Sequence, residues 1–425
     1  MKMKKTISIF LMFILIISIA TGCKSDKATS SNGSDESVTI TFWHHYNSQS
    51  AENKVLNEVI IPEFHKKHPN INVETVSHEW AELHKKILVS TSSNQLPDVA
   101  RVDIAWVPEF QKLNILKKLD SEMKDFKEIS SNIIDGPMNT AKINNNHYGL
   151  GLNTNTKILF YNKSMLDKEN IKVPTTMDDF FEAARKMSKK DGKQIWGYGE
   201  PALSGWNICP FIWSNGGDIT DKEYKTATGY INSKKTIDII QKLVDLYKDS
   251  GMIGFNSGDI PLTDGYGQGR YGMIIEGPWK FAELEGSYPD FEPMTAQMPA
   301  GEGGSVQVLG GEDIVMFSDS KKEASWEFMK FMTDKFAQIE MAKVGQIPVN
   351  KEAIDSEEVK SIENFAPFLE AIKTAKPRPP VSTWPEIDNE ITSSITMAML
   401  DDKPVEEIMN ELAVKIDELL ETANK

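Results

Sequence analysis

Gly269-Arg270-Tyr271-Gly272-Met273-Ile274-Ile275-Glu276-Gly277-Pro278-Trp279, running on into Lys280-Phe281-Ala282-Glu283-Leu284, decides how this chain is read. Met273 to Ile275 is a short apolar run bounded by glycines, the pattern of a buried strand. Gly277-Pro278 breaks it. A proline at the first turn costs a helix no hydrogen bond, so the chain can pass from strand to helix with Trp279 near the start. A large flat ring then stands at the carboxyl end of a strand, where open α/β sheets present ligands. No nucleophile or metal-ligand pattern accompanies it. The stretch predicts a stacking surface rather than a reaction centre.

Working outward, the same alternation of strand and helix extends upstream. Val38-Thr39-Ile40-Thr41-Phe42-Trp43 is β-branched and alternating, a first strand followed by the polar loop His44-His45-Tyr46-Asn47-Ser48. A helical pattern spans about 51–68, with Val55, Val59, Ile60 and Phe64 on one face, and Pro69-Asn70 stops it. Ile71 to Val76 is a second strand and Trp80 to Thr91 a second helix, with Leu83, Ile87 and Leu88 along one stripe. Pro97 to Val102 is a third strand, with Asp103 at its end. Strand, helix, strand, helix, strand at this spacing predicts a parallel, doubly wound sheet.

Downstream, Leu150 to Tyr161 can carry the backbone from one lobe to another. Pro174-Thr175-Thr176-Met177-Asp178-Asp179 offers a capped helix start, a threonine with an acid three residues later, opening a helix over 180–189. Lys234 to Ser250 is amphipathic and closed by Gly251. Val306 to Leu309, bracketed by Gly301-Glu302-Gly303-Gly304 and Gly310-Gly311, is a candidate second crossing, and Ala324 to Met341 is helical. Pro377-Arg378-Pro379-Pro380 is a stiff connector before Trp384, after which helix continues to the end.

A chain of 425 residues exceeds one comfortable core, so two or three domains are expected. A net charge of -15 argues against a nucleic-acid partner, because a phosphate backbone requires a basic face. Two cysteines, Cys23 and Cys209, exclude a disulfide framework. Lys2, Lys4 and Lys5 precede the apolar stretch Ile7 to Ala20, which has the form of a secretory signal over 1–22. Small residues running into Cys23 resemble a bacterial lipoprotein box, which implies cleavage before Cys23 and its lipidation. From Lys24 to Ser37 almost nothing can be buried, so 23–37 reads as a lipidated cysteine and a disordered tether.

Taken together, the strand ending Ile40-Thr41-Phe42-Trp43, then Leu96-Pro97-Asp98-Val99 before Asp103 and Trp106, and Tyr148-Gly149 before Leu159-Phe160-Tyr161-Asn162-Lys163 form an ordered set of markers. Glu276-Gly277-Pro278-Trp279 and Gly310-Gly311 ahead of Trp326-Glu327-Phe328-Met329-Lys330-Phe331 complete it. The set resembles the extracellular solute-binding proteins of carbohydrate ABC importers, the family that includes the maltodextrin-binding protein. The resemblance covers essentially the whole mature chain. It implies an α/β fold of two lobes, periplasmic-binding-protein type II-like, each a sheet flanked by helices and joined by a hinge. The lobes would be 38–150 plus 308–362 and 151–307 plus 363–425. It further implies a ligand held in the cleft and hinge closure on binding. The partners implied are a membrane permease and, through the Cys23 anchor, the outer face of a Gram-positive membrane. The protein would act as a monomer, without cofactor or metal and without enzymatic activity.

A pyranose offers an apolar C–H face to aromatic rings and a rim of hydroxyls that must keep their hydrogen bonds. The ligand-binding residues the resemblance implies are Trp43, His45, Asn47, Asp103, Trp106, Asn155, Trp206, Trp279, Gly310, Gly311 and Trp384. Trp196, Trp213 and Trp326 lie in apolar or helical runs and are assigned to the core. Trp80 is left unassigned, and Asp98 is read as a brace for its strand. The loop Asn47-Ser48-Gln49-Ser50 lacks the charged pair of the maltodextrin branch, which argues against a linear maltodextrin. A small polyol or glycerophosphate-type ligand is the alternative. A metal-binding role for the early histidines is opposed by Lys66 and Lys67 beside His65 and His68. A secreted glycoside hydrolase would require two opposed carboxylates, which 62 acidic residues supply too freely to signify.

Overall fold

Ile40, Phe42 and His44 point to one face of the first strand and are buried, so alternation in the sequence becomes a two-sided strand in a sheet. The computed structural model describes residues 37–93, 95–188, 194–317 and 321–424; the signal segment, Cys23 and the tether up to residue 36 lie outside them. From Ser37 onward the chain is one packed unit. Among the described residues no helix is long and apolar enough to cross a membrane.

The strands are β1 (Val38–His44), β2 (Ile71–Ser77), β3 (Val99–Asp103), a hairpin β4 (Lys142–Ile143) and β5 (Asn146–His147), β6 (Gly149–Asn155) and β7 (Ile158–Tyr161). They continue with β8 (Trp196–Gly199), β9 (Met252–Ile253), β10 (Tyr271–Glu276), β11 (Met294–Ala296), β12 (Val308–Met316) and β13 (Lys376–Pro377). One sheet runs β13-β12-β3-β1-β2 with β6 also on β12, and the second runs β11-β7-β10-β8-β9. Each sheet is packed by helices, and the two sheets with their helices are the two lobes; one apolar cluster spans them, with Ala105 and Val308 beside Phe180 and Tyr198. The first sheet is mixed, not wholly parallel as expected. Strand β12 returns from the second lobe and so enters antiparallel to both β3 and β6.

Three further expectations are corrected. Strand β6 belongs to the first sheet through Asn155, so the chain leaves that sheet at Thr156-Lys157, not at 150/151. Residue 362 does not divide two cores, because Ile339, Ala342, Val359 and Phe368 share one cluster with Ile158 and Ile274. Gly310 and Gly311 lie inside β12 instead of flanking a crossing.

The first helix is not uniform. It runs Ala51–Val55, then one π turn over Leu56–Ile60, then Ile61–Lys67. Pro62 has no N–H to give Glu58 and its ring would crowd that carbonyl, and a widened turn just before it relieves both. The wider turn rotates the buried stripe, so Leu56, Ile60, Ile61 and Phe64 face inward and Val59 is exposed. In the second lobe Thr176 and Asp179 form a reciprocal capping box over Met177–Met187. The expected helix over 324–341 is two, Lys322–Met332 and Lys335–Ala342, because the Asp334 side chain caps Ala337 N at 2.9 Å.

Candidate functional site

The carboxyl ends of β1, β3, β8 and β10 converge on one cavity of about 490 Å³ between the lobes. That volume is within the range of about 300–1,000 Å³ usual for small-molecule sites. From the first lobe come the loop after β1 (His45, Tyr46, Asn47), Glu52 in the first turn of the helix that follows, Trp80, Arg101, Asp103, and the β12 residues Gly310, Gly311 and Glu312. From the second come Ala202, Ser204, Trp206, Trp279 and Glu283.

Three indoles face the cavity. Trp80 opens the helix Trp80–Ser93 and is 40% exposed, with Nε1 donating to Asp103 Oδ2 at 3.3 Å. Trp206 is near the start of the helix Gly205–Ser214. Trp279 is the first residue of Trp279–Ser287, with Pro278 at its N-cap. Its ring folds back over Gly277, where a Cβ would stand 2.2 Å from a ring carbon. Gly310 serves Trp206 in the same way: a Cβ there would meet the indole at 2.4 Å and Asn155 Oδ1 at 2.1 Å. Gly311 has φ of +145° and approaches Asn153 O, which no side chain could share.

Both guanidinium groups in the cavity are paired. Arg101 meets Glu312 at 2.8 Å and lies over the Tyr46 ring at 4.2 Å. Arg378 meets Asp103 at 2.7 Å and lies over the Trp206 ring at 5.3 Å. Asp103 also accepts from Ala105 N at 2.8 Å, so one carboxylate fixes a turn, an indole and a guanidinium. Burial raises the Glu312 carboxyl, with Arg101 opposing, and it raises Tyr46 to about 12. His45 is held well below the ordinary histidine value by burial and then by Arg101, whose Nη1 lies 2.9 Å from its Nε2. Nε of Arg101, Nε of Arg378 and Oδ1 of Asn155 are buried with no hydrogen-bond partner among the described residues.

Of the residues singled out in the sequence, His45, Asn47, Asp103, Asn155, Trp206, Trp279, Gly310 and Gly311 line this cavity. Trp43, Trp106 and Trp384 do not. Trp43 sits within the sheet, paired with Val76 and Ala100, because β1 runs one residue further than expected; its ring abuts His78 at 5.3 Å. Trp106 is 2% exposed and lies behind Trp80, ring centroids 4.9 Å apart. Trp384 is sealed in the second lobe's core beneath Gly205, whose Cβ would meet its ring at 3.0 Å. Trp80, Arg101, Glu312 and Arg378 escaped the sequence reading. The signal that could have found two of them was a charge inside an apolar strand, Val99-Ala100-Arg101-Val102 and Gly311-Glu312-Asp313-Ile314. Among the described residues no cluster of three metal-ligating side chains occurs. His65 accepts from Val73 N at 3.3 Å and His84 pairs with Glu109, so the early histidines are dispersed.

The model of the bacterial extracellular solute-binding protein family matches residues 60–367, well over half of the chain. The chain belongs to this family. Relatives of this solute-binding protein include a putative binding protein of Brucella abortus, 24% identical over 84% of this chain and 88% of that one. The arabinooligosaccharide-binding protein of Bacillus subtilis is 25% identical over 77% of this chain and 76% of its own length. Among solved structures, the GacH receptor of Streptomyces glaucescens, determined unliganded and with acarbose, superposes with a TM-score of 0.81 at 22% identity. That match covers 91% of this chain and 99% of the receptor, and it shows the two-lobe fold.

Proposed function

We propose that this solute-binding protein is the receptor of a carbohydrate ABC importer. It is held at the outer face of the membrane through lipid on Cys23. It takes a neutral oligosaccharide into the interlobe cavity, closes on it and presents it unchanged to the permease. The observation that carries this reading is the company of Trp80, Trp206 and Trp279 around a cavity whose two guanidinium groups are each already paired with a carboxylate. Indole faces suit the C–H faces of pyranose rings. Carboxylate, amide and guanidinium edges around them (Glu312, Asp103, Asn155, Arg101) supply partners for hydroxyls, which cannot be buried without them. The arabinooligosaccharide-binding relative and the acarbose-binding structural neighbour support the same ligand class.

The charge balance weighs against the glycerophosphate-type alternative. A phosphate requires free cations. Here Glu52, Asp103, Glu283 and Glu312 outnumber Arg101 and Arg378, and Lys280 is bound to Glu283. Hydrolysis is disfavoured too, since Asp103 and Glu312 are neighbours across β3 and β12 instead of facing each other over a scissile bond. Calorimetric titration with arabino-, galacto-, manno- and maltotriose, and with glycerol 3-phosphate, tests the proposal. Saturable binding of at least one trisaccharide without release of reducing ends is expected. Binding of glycerol 3-phosphate alone would refute it.

A further inference from the structure

At the junction of the lobes the end of β6, the start of β12 and β13 lie side by side, with Asn155 opposite Gly310, Val308 opposite Lys376 and Leu309 opposite Pro377. One side chain contacts a residue in, or just beyond, each of these strands. The indole of Trp206 has Lys157 Nζ 5.8 Å from its centroid, Arg378 Cζ at 5.3 Å, and Gly310 so close that a Cβ would stand 2.4 Å from it. Trp206 itself belongs to the second lobe, on a helix whose Ile208, Phe211 and Ile212 are core. Gly310 is in the first lobe's sheet, and Arg378 is tied to Asp103 of that lobe. Lys157 is 1% exposed, and its ammonium lies between the charge of the buried Glu200 carboxylate of the second lobe and the Trp206 indole face. The same ring lines the ligand cavity.

We propose that Trp206 is the positioning residue that couples occupancy of the cavity to movement of the hinge. A rotation of the lobes about β6 and β12 must change the distances from this ring to Gly310 and Arg378, because the ring travels with one lobe and they travel with the other. A ligand shifts such an equilibrium only through contacts that differ between its two states. A sugar ring stacked on Trp206 fixes the indole, and the fixed indole selects one arrangement of the hinge strands. Trp80 and Trp279 contribute affinity without this leverage, since Trp80 belongs to the first lobe itself and the Trp279 ring folds over Gly277 of its own lobe. Lys157 and Arg378 set the resting position of the indole.

The inference rests on the oligosaccharide reading, and two measurements keep their failures apart. In the first, small-angle scattering of the chain is recorded with and without the trisaccharide that binds tightest in calorimetry. The wild type is expected to contract on binding. Trp206→Ala is expected to bind about tenfold or more weakly, as for loss of one stacking partner, and to show little contraction even at saturating sugar. Full contraction of saturated Trp206→Ala overturns the inference while leaving the oligosaccharide reading intact. The second measurement needs no ligand: hydrogen exchange and scattering of free Gly310→Ala, and of Lys157→Met, which lies outside the cavity lining and serves where Gly310→Ala fails to fold. Altered exchange over residues 153–157 and 376–378 with a changed radius of gyration is expected. Wild-type exchange and radius in Lys157→Met overturn the inference even if no sugar in the panel binds.

Discussion

Replacing Asp103 with alanine removes the carboxylate that Arg378 meets at 2.7 Å, that caps Ala105 N at 2.8 Å and that receives Trp80 Nε1 at 3.3 Å. Both charged side chains are nearly sealed, at 4% and 11% exposure. Removing one partner of such a pair leaves a buried, unpaired charge, a loss of about 3–5 kcal/mol. The freed Ala105 N–H and the loosened indole add about 1 kcal/mol. At about 2–4 °C per kcal/mol for a domain of 150–250 residues, the melting temperature should fall by roughly 8–24 °C. Asp103→Asn keeps an acceptor for the turn and the indole and loses only the charge, so its loss should be smaller, about 1.5–3 kcal/mol. The sharper comparison is the double variant Asp103→Ala with Arg378→Met. Taking away the stranded cation should restore part of the lost stability, because removal of both partners avoids the unpaired charge. Scanning calorimetry of the three variants reads this directly. If Asp103→Ala melts within about 2 °C of the wild type, or if the double variant is less stable than the single one by the full cost of another deletion, the paired-charge account of the cavity is wrong.

Trp80→Ala and Trp279→Ala should each weaken trisaccharide binding by about 1.5–3 kcal/mol, roughly tenfold to a hundredfold. Melting should change less in Trp80→Ala, whose ring is 40% exposed; calorimetric titration alongside melting separates the two effects. Acid should destabilise the protein through His44, whose ring nitrogens have no partner among the described residues. Burial, with repulsion from Arg101 and His78, holds its pKa down to about 3. The unfolded chain takes up a proton near 6.5 that the folded one refuses, so this contribution is whole above that pH and is lost as pH falls toward 3. At pH 4.5 the loss is roughly 2–3 kcal/mol. His44→Phe, flanked by Phe42 and Tyr46 rings at 5.4 and 5.3 Å, should narrow the gap between urea midpoints at pH 7 and pH 4.5. An unchanged gap would remove His44 from the account.

Local order was plain in the residues. Alternation from Val38, the capping box at Thr176 and Asp179, and the break at Gly277-Pro278 each rest on neighbours a few positions away, and each element forms where those neighbours require. Tryptophan placement was less legible, because an indole fills a core as readily as it walls a cleft. Trp384 stands beside a proline as Trp279 does, yet the helix Gly205–Ser214 lies on it, and that contact joins residues far apart in the chain. Trp80 follows the polar run Ser77-His78-Glu79 and gives no local sign that β3 will deliver Asp103 to its N–H. The Val59 error has a different origin. One π turn before Pro62 rotated a stripe that ideal helical periodicity puts elsewhere. Paired charges were hidden for the opposite reason, since Arg101 and Glu312 come from strands 211 positions apart and meet only in the folded sheet.

A crystal structure of the chain grown with its tightest-binding trisaccharide tests the central claim most directly. The account predicts pyranose rings in the interlobe cavity, their C–H faces against Trp80, Trp206 and Trp279 and their hydroxyls on Asp103, Glu312 and Asn155. Sugar density elsewhere on the surface, with those three indoles untouched, would contradict it.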